Sequence, residues 1–271
     1  MIKDLVVNLE QQAARDPARD FAISVAKTFG AHVAGVAFAF VSDFPGYIAP
    51  QLQPDVLAQI TASSEKAALA AIDSFDTAAD QSQVSREHRM LKATEVDAPV
   101  VLSTLVRRFD LGVSAVPAER GGQRRHDESG RPLIVVPYIQ RDELQLDRVI
   151  CCWDGSRAAT RAIHNALPFL VKAGTVDLLI VLNEKTSSRE NEIRGVEIAK
   201  HLARHGVRLQ IQTINAADID VTNAILSYAA DRSAQLIVMG GYGHSRLRQI
   251  ILGGVTRDML KSMTVPVFMS H

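Results

Sequence analysis

The chain is poor in cysteine, tryptophan and aromatic residues generally, and each shortage narrows what it can be. Two cysteines stand in 271 positions. They are neighbours, Cys151 and Cys152, and adjacent residues on a strand point to opposite faces. An intrachain disulfide between them would be strained, so they read as two small buried hydrophobes rather than a disulfide framework. Aromatic residues make up 5% against 47% hydrophobic overall. A chain so rich in Ala, Val, Ile and Leu suits helices packed on buried strands better than an all-β sandwich. Net charge is absent too, with 30 basic residues against 30 acidic. There is then no global field to draw the chain onto nucleic acid or an anionic membrane, and neither partner is expected. No apolar run nears the roughly 18 residues of a membrane span. The apolar stretch at the N-terminus is too short for a signal peptide and reads as a first strand. A cytoplasmic location is the expectation from these absences. Familiar catalytic and nucleotide signatures are missing as well. There is no G-x-x-x-x-G-K-[ST] and no G-x-S-x-G, and Gly241-x-Gly243 lacks the third glycine of the dinucleotide fingerprint.

What is present is an alternation of strand and helix patterns, repeated once. In the second half, apolar strands are expected at 148–153, 176–182, 207–213, 236–239 and 265–269. Helices are expected at 157–171, 190–204, 219–231 and 255–263. Five apolar strands separated by helices call for a parallel sheet covered on both faces. The first half follows the same order at an offset of 144 residues, at which Leu5 matches Val149 and Gly30 matches Gly174. Its helix at 52–79 is longer than its counterpart and follows a loop bearing Pro45, Gly46 and Pro50. Further helix and strand patterns lie at 100–107 and 110–114, and 133–136 is its closing strand. A period near 140 residues means two copies of one α/β domain, 1–140 and 141–271, joined through the polar stretch 140–146.

The strongest chemical signal follows the fourth strand of the second half. Gly240, Gly241 and Gly243 come directly after a buried strand, and Gly253, Gly254, Val255 and Thr256 open the next helix. In an open parallel sheet, ligands sit beyond the carboxyl ends of the strands, beside helix N-termini. Glycine permits close backbone approach, and N–H groups at a helix start form an anion site. Thr256 could add a hydroxyl donor, and Arg246 and Arg248 positive charge. Asp154-Gly155-Ser156 ends the first strand of this half, at the same edge of the sheet. Asp154 could bond a ribose hydroxyl or help hold a divalent metal, while Ser156 reads as the N-cap of the following helix. His244 could touch a phosphate or cap the loop.

Together these features resemble the universal stress protein family, in two copies over nearly the whole chain and most closely in the second. The ATP-binding members carry G-x-x-G, nine residues, then G-[ST]. Here Gly240-x-x-Gly243 is followed by residues 244–252 and then Gly253. Gly254 stands where the family has Ser or Thr. The resemblance implies a five-stranded parallel sheet between helices in each copy. It also implies binding of ATP or AMP, with Mg²⁺ or Mn²⁺ reached from Asp154 through the nucleotide. Asp154, Val181 (whose backbone would meet the adenine), Gly240, Gly243, His244, Gly253, Gly254, Val255 and Thr256 would form the site. No base or nucleophile is apparent, so nothing beyond the slow ATP hydrolysis of some relatives is expected. In the first half Glu10 replaces Asp154, and the shorter segment 117–130 has no apolar helical stripe. That copy is expected to have lost the phosphate loop and its last helix. The two closing strands, 133–136 and 265–268, are expected to lie together across a pseudo-twofold axis, as in a family homodimer, and a further homodimer is left open.

Blander features complete the inventory. His201 and His205, four apart on a helix, have the spacing of two metal ligands. No third ligand accompanies them in sequence, and a solvated helix face accounts for them. The Arg-rich run 119–131 is diluted by acidic neighbours and reads as a surface loop. The leading expectation is a stress-response protein that senses an adenine nucleotide. The alternatives are a dimerisation or interaction module with a vestigial site, and a small-molecule binder that uses 45–54 as a lid.

Overall fold

The computed structural model describes residues 1–11, 15–41, 54–116, 129–182, 189–216, 220–241 and 254–271. Met1 aside, the chain divides into two compact units, Ile2–Arg131 and Pro132–His271.

The first unit runs β1 (Asp4–Asn8), α1 (Pro17–Phe29), β2 (His32–Phe40), α2 (Pro54–Gln81), β3 (Arg86–Ala93), α3 (Ala98–Val106) and β4 (Leu111–Ala115). Its strands are parallel in the order β3-β2-β1-β4. Local chemistry sets the helix ends. Asp16 caps α1 by accepting from the Arg19 N–H, Pro17 occupies the first turn, and Gly30 ends the helix at φ 60°, a conformation that carries no steric cost for glycine. The core gathers Val6, Val36 and Phe38 from the strands against Leu102, Val106 and Phe109 in and after α3.

The second unit runs β5 (Leu133–Val136), β6 (Arg148–Cys152), α4 (Arg157–Lys172), β7 (Thr175–Leu182), α5 (Arg189–Arg204), β8 (Leu209–Asn215), α6 (Val221–Asp231), β9 (Leu236–Gly240), α7 (Gly254–Ser262) and β10 (Val267–Ser270). β10, β9, β6, β7 and β8 form the expected five-stranded parallel sheet. β5 joins its β10 edge antiparallel, with Val267 opposite Val135, Phe268 opposite Ile134 and Met269 opposite Leu133.

Helices cover both faces of this sheet. On one face α4 buries Ala159, Ala162, Ile163, Ala166 and Leu170, and Phe169 meets Phe268 of β10 edge-to-face at 5.6 Å between ring centroids. On the other face the buried Asp177 of β7 accepts from Arg148 Nη1 at 3.0 and 2.9 Å and from the Tyr228 hydroxyl of α6 at 3.1 Å. A carboxylate stripped of water needs such donors, so this network fixes α6 over β7. Among the described residues no helix is long and apolar enough to cross a membrane.

Candidate functional site

Strand register brings Asp154 and Val181 together. β6 and β7 pair from Arg148 opposite Thr175 to Cys152 opposite Leu179, and the Trp153 N–H donates onward to the Leu179 carbonyl at 2.9 Å. Continued two residues past β6, the same register sets Asp154 level with Val181. Alternation puts Val181 on the face that carries Asp177, the α6 side. Val181 is half-buried and pairs with Ile214 near the end of β7, whereas Asp154 is exposed.

The turn after β6 has its own structural duties. Asp154 Oδ1 accepts the Ser156 N–H at 2.9 Å, Gly155 sits at φ 73°, and Ser156 Oγ accepts the Ala159 N–H at 3.1 Å. Ser156 is thus the N-cap of α4, as its position suggested. Beside Asp154, the half-buried Cys152 thiol is pushed up to about 12, first by its removal from water and then by the Asp154 carboxylate. It is therefore a thiol at neutral pH and supplies no nucleophile.

Gly240 ends β9, and its need for glycine comes from packing. A Cβ there would stand 2.6 Å from the Ala159 nitrogen and 2.7 Å from the Ala158 carbonyl carbon. The missing side chain lets the first turn of α4 seat on the end of β9. Gly241, whose N–H donates to the Ser270 carbonyl at 2.9 Å, is less confined. Among the described residues, a Cβ there would meet nothing closer than 3.8 Å.

Helices joining parallel strands run back across the sheet, so α4, α6 and α7 all begin at its carboxyl edge. α4 and α6 close their starts with Ser156 and Asp220, the latter accepting from the Thr222 and Asn223 N–H groups. α7 opens with the exposed Gly254, then the half-buried Val255 and the buried Thr256. Thr222 Oγ1 donates to the Val255 carbonyl at 3.3 Å, tying the starts of α6 and α7. Among the described residues, a Cβ on Gly254 would meet nothing nearer than Asp258 Oδ2, 4.0 Å away. Asp258 escaped the sequence reading, although its helical spacing of four from Gly254 is the signal that would have found it.

Gly243, His244 and Gly253, together with Arg246 and Arg248, lie outside the described residues, as does most of the shortened segment of the first half. The described residues gather Asp154, Val181, Gly240, Gly254, Val255 and Thr256 at one edge of one sheet. Exposure at Gly254, with no described residue crowding it, suits an anion at the start of α7. Burial turns Thr256 into the fold. No three His, Cys, Asp or Glu side chains among the described residues form a ready metal site. A shallow cavity of about 320 Å³ lies at the opposite, amino end of the sheet, lined by Gln140, Arg141, Ala234, Gln235 and Thr264 among others.

Comparison with known proteins fits this geometry. A sequence model described as the universal stress protein family matches residues 145–271. Universal stress protein Slr1230 of Synechocystis sp. is 28% identical over 138 residues, which cover 51% of this chain and 46% of that protein. The chain therefore spans about half the length of this relative. A universal stress protein from Archaeoglobus fulgidus superimposes with a TM-score of 0.71 at 14% identity, covering 98% of this chain and 97% of that one. One from Pseudomonas aeruginosa does so with a TM-score of 0.66 at 13% identity, covering 99% and 93%. These two likenesses establish the fold, and the family model places a universal stress protein domain in residues 145–271, the half that carries the glycine constellation.

Proposed function

We propose that the second unit binds an adenine nucleotide, ATP or AMP, as a sensing or regulatory event in a cytoplasmic stress response. The observation that carries this reading is the shared edge. Asp154 follows β6 two residues past its last pair with β7, level with Val181, and the exposed glycine start of α7 opens at the same carboxyl edge. In this arrangement Val181 offers its backbone to the base. Asp154 holds the ribose, or a Mg²⁺ or Mn²⁺ carried by the phosphates. The backbone N–H groups of Gly254 and Val255 face the phosphates, with Gly243, His244 and Gly253 completing the loop. Gly240 serves by seating α4, and Thr256 by anchoring the first turn of α7.

Gly254 supplies the test. A serine there restores the hydroxyl of the family pattern, and 4.0 Å of clearance leaves room for it. A hydrogen bond to a charged phosphate contributes about 1.5–3 kcal/mol, or about ten- to a hundred-fold in affinity. Calorimetry with ATP and Mg²⁺ is expected to show Gly254→Ser binding tighter than wild type by that factor, and Asp154→Ala and Gly243→Val binding more weakly. Unchanged affinity in both weakening variants would place the nucleotide elsewhere.

A second reading has its own support. Gly254 lacks a hydroxyl, and the Asp258 carboxylate beside the same helix start competes with an anion for the positive end of α7. Both features suit an interaction module with a vestigial site, acting through a homodimer or through an intrachain pseudo-dimer of the two copies. Mass spectrometry of small molecules released from the denatured protein separates the two. Released ATP, ADP or AMP supports sensing. Their absence, with no calorimetric signal at millimolar ATP in Gly254→Ser, supports the module.

A further inference from the structure

Three histidines from neighbouring helices meet on the outer side of α4 and α5. His164 lies in α4, His201 in α5, and His205 just past its end. His164 Nδ1 is 2.8 Å from the Thr160 carbonyl one turn earlier. A carbonyl can only accept, so Nδ1 carries the proton of the neutral ring and Nε2 presents a lone pair. That lone pair faces His201 Nε2 at 3.1 Å, with the two ring centroids 5.0 Å apart. The ring of His205 is 4.7 Å from that of His201.

We propose that His164 and His201 form a two-imidazole site for a divalent transition metal of the Zn²⁺, Ni²⁺ or Cu²⁺ class, bridging α4 to α5. Two observations carry it. A ring that donates Nδ1–H to a backbone carbonyl is oriented as metal-ligating histidines usually are. The nitrogen spacing also fits, because tetrahedral coordination at about 2.0–2.1 Å sets two ligand nitrogens about 3.3 Å apart. The pair has to open by a few tenths of an ångström and turn both lone pairs to one point, with the His201 proton moving from Nε2 to Nδ1 so that two neutral imidazoles face the metal. Imidazole is the ligand these cations prefer among side chains of this kind. His205 joins only by a side-chain rotation, since no three such groups among the described residues already form a metal site, and water takes the remaining positions. Arg204 acts on His201 electrostatically, which works against a cation and argues for a modest affinity. The bridge would pin α5 to α4 and stabilise the unit by mass action.

The test is calorimetric titration of the full chain with Zn²⁺ alone, beside His164→Gln and His201→Gln, with thermal melts in the presence and absence of Zn²⁺. Metal-free melts report whether each variant folds. The expected result is a saturable site in the wild type whose occupation raises the melting temperature. Each variant should lose about tenfold or more in affinity, together with the thermal shift. A wild type that takes up no Zn²⁺ at about 1 mM, with the affinity of the two-histidine site then out of reach, overturns the proposal. So does a correctly folded His164→Gln variant that binds as tightly as wild type.

Discussion

At the scale of single residues, the glycines of one constellation do different work. Gly240 is confined by the backbone of Ala158 and Ala159, which cannot turn aside as a flexible side chain would. Gly240→Ala is therefore expected to cost about 1–3 kcal/mol through overpacking. Gly241→Ala, whose Cβ would meet ordinary contacts at 3.8 and 3.9 Å, should stay close to wild type. Urea denaturation of the two variants makes the comparison, and equal midpoints would remove packing as the reason for Gly240. Cys152 gives a second prediction at this scale. With its pKa pushed up to about 12, only about one molecule in ten thousand carries the thiolate at pH 8. Alkylation of the native protein should be slow and rise about tenfold per pH unit toward that value. The sign for stability follows. The folded thiol holds its proton above the pH at which the unfolded one releases it, so stability falls as pH rises past 9.0, the ordinary value. Rapid labelling of Cys152 at pH 7 in folded protein would contradict this burial.

At the scale of elements, legibility in sequence followed chemistry. The parallel strands of the second unit could be read because burial on both faces makes them largely apolar runs, as in Leu236 to Met239. β3 could not, because Arg86–Ala93 is an edge strand rich in charged residues, and only the repeat implied it. That Asp154 stands at the carboxyl edge was legible once the strands were parallel, whereas its register against β7 was not. The seating of α4 on Gly240 was not, since it depends on how closely a helix approaches a strand. His164 was hidden for the same reason. It lies on a different helix from His201 and His205, so no spacing along the chain reports it. Helix caps sit between these cases, because their signal is local. Asp220 both precedes α6 and accepts two of its first N–H groups, at 2.9 and 3.3 Å. Asp220→Ala should destabilise the second unit by about 1 kcal/mol, and Asp220→Asn, which keeps an acceptor oxygen, by much less. Equal denaturation midpoints for the two variants would show that the cap contributes nothing.

At the scale of the whole molecule, the family match and the compact unit begin at different places. The match starts at residue 145, whereas the unit starts at Pro132 and so includes β5. Ile134, Val135 and Val136 are all buried, and burying one such side chain contributes about 1.5–3 kcal/mol. β5 also covers the backbone of β10 across three registered pairs. A fragment cut at residue 145 loses those side chains and bares the edge of a strand whose residues, Val267 to Met269, are apolar. An uncovered apolar edge is a template for pairing with another chain. The fragment 132–271 should accordingly melt at a higher temperature than 145–271 and remain smaller by light scattering as concentration rises. The shorter fragment should associate through β10, and a charge in that strand at the buried Met269, Met269→Lys, should suppress the association while lowering the melting temperature further. Identical melting and identical size for the two fragments would mean that β5 lends the second unit nothing, and that the boundary drawn by the family match is the physical one.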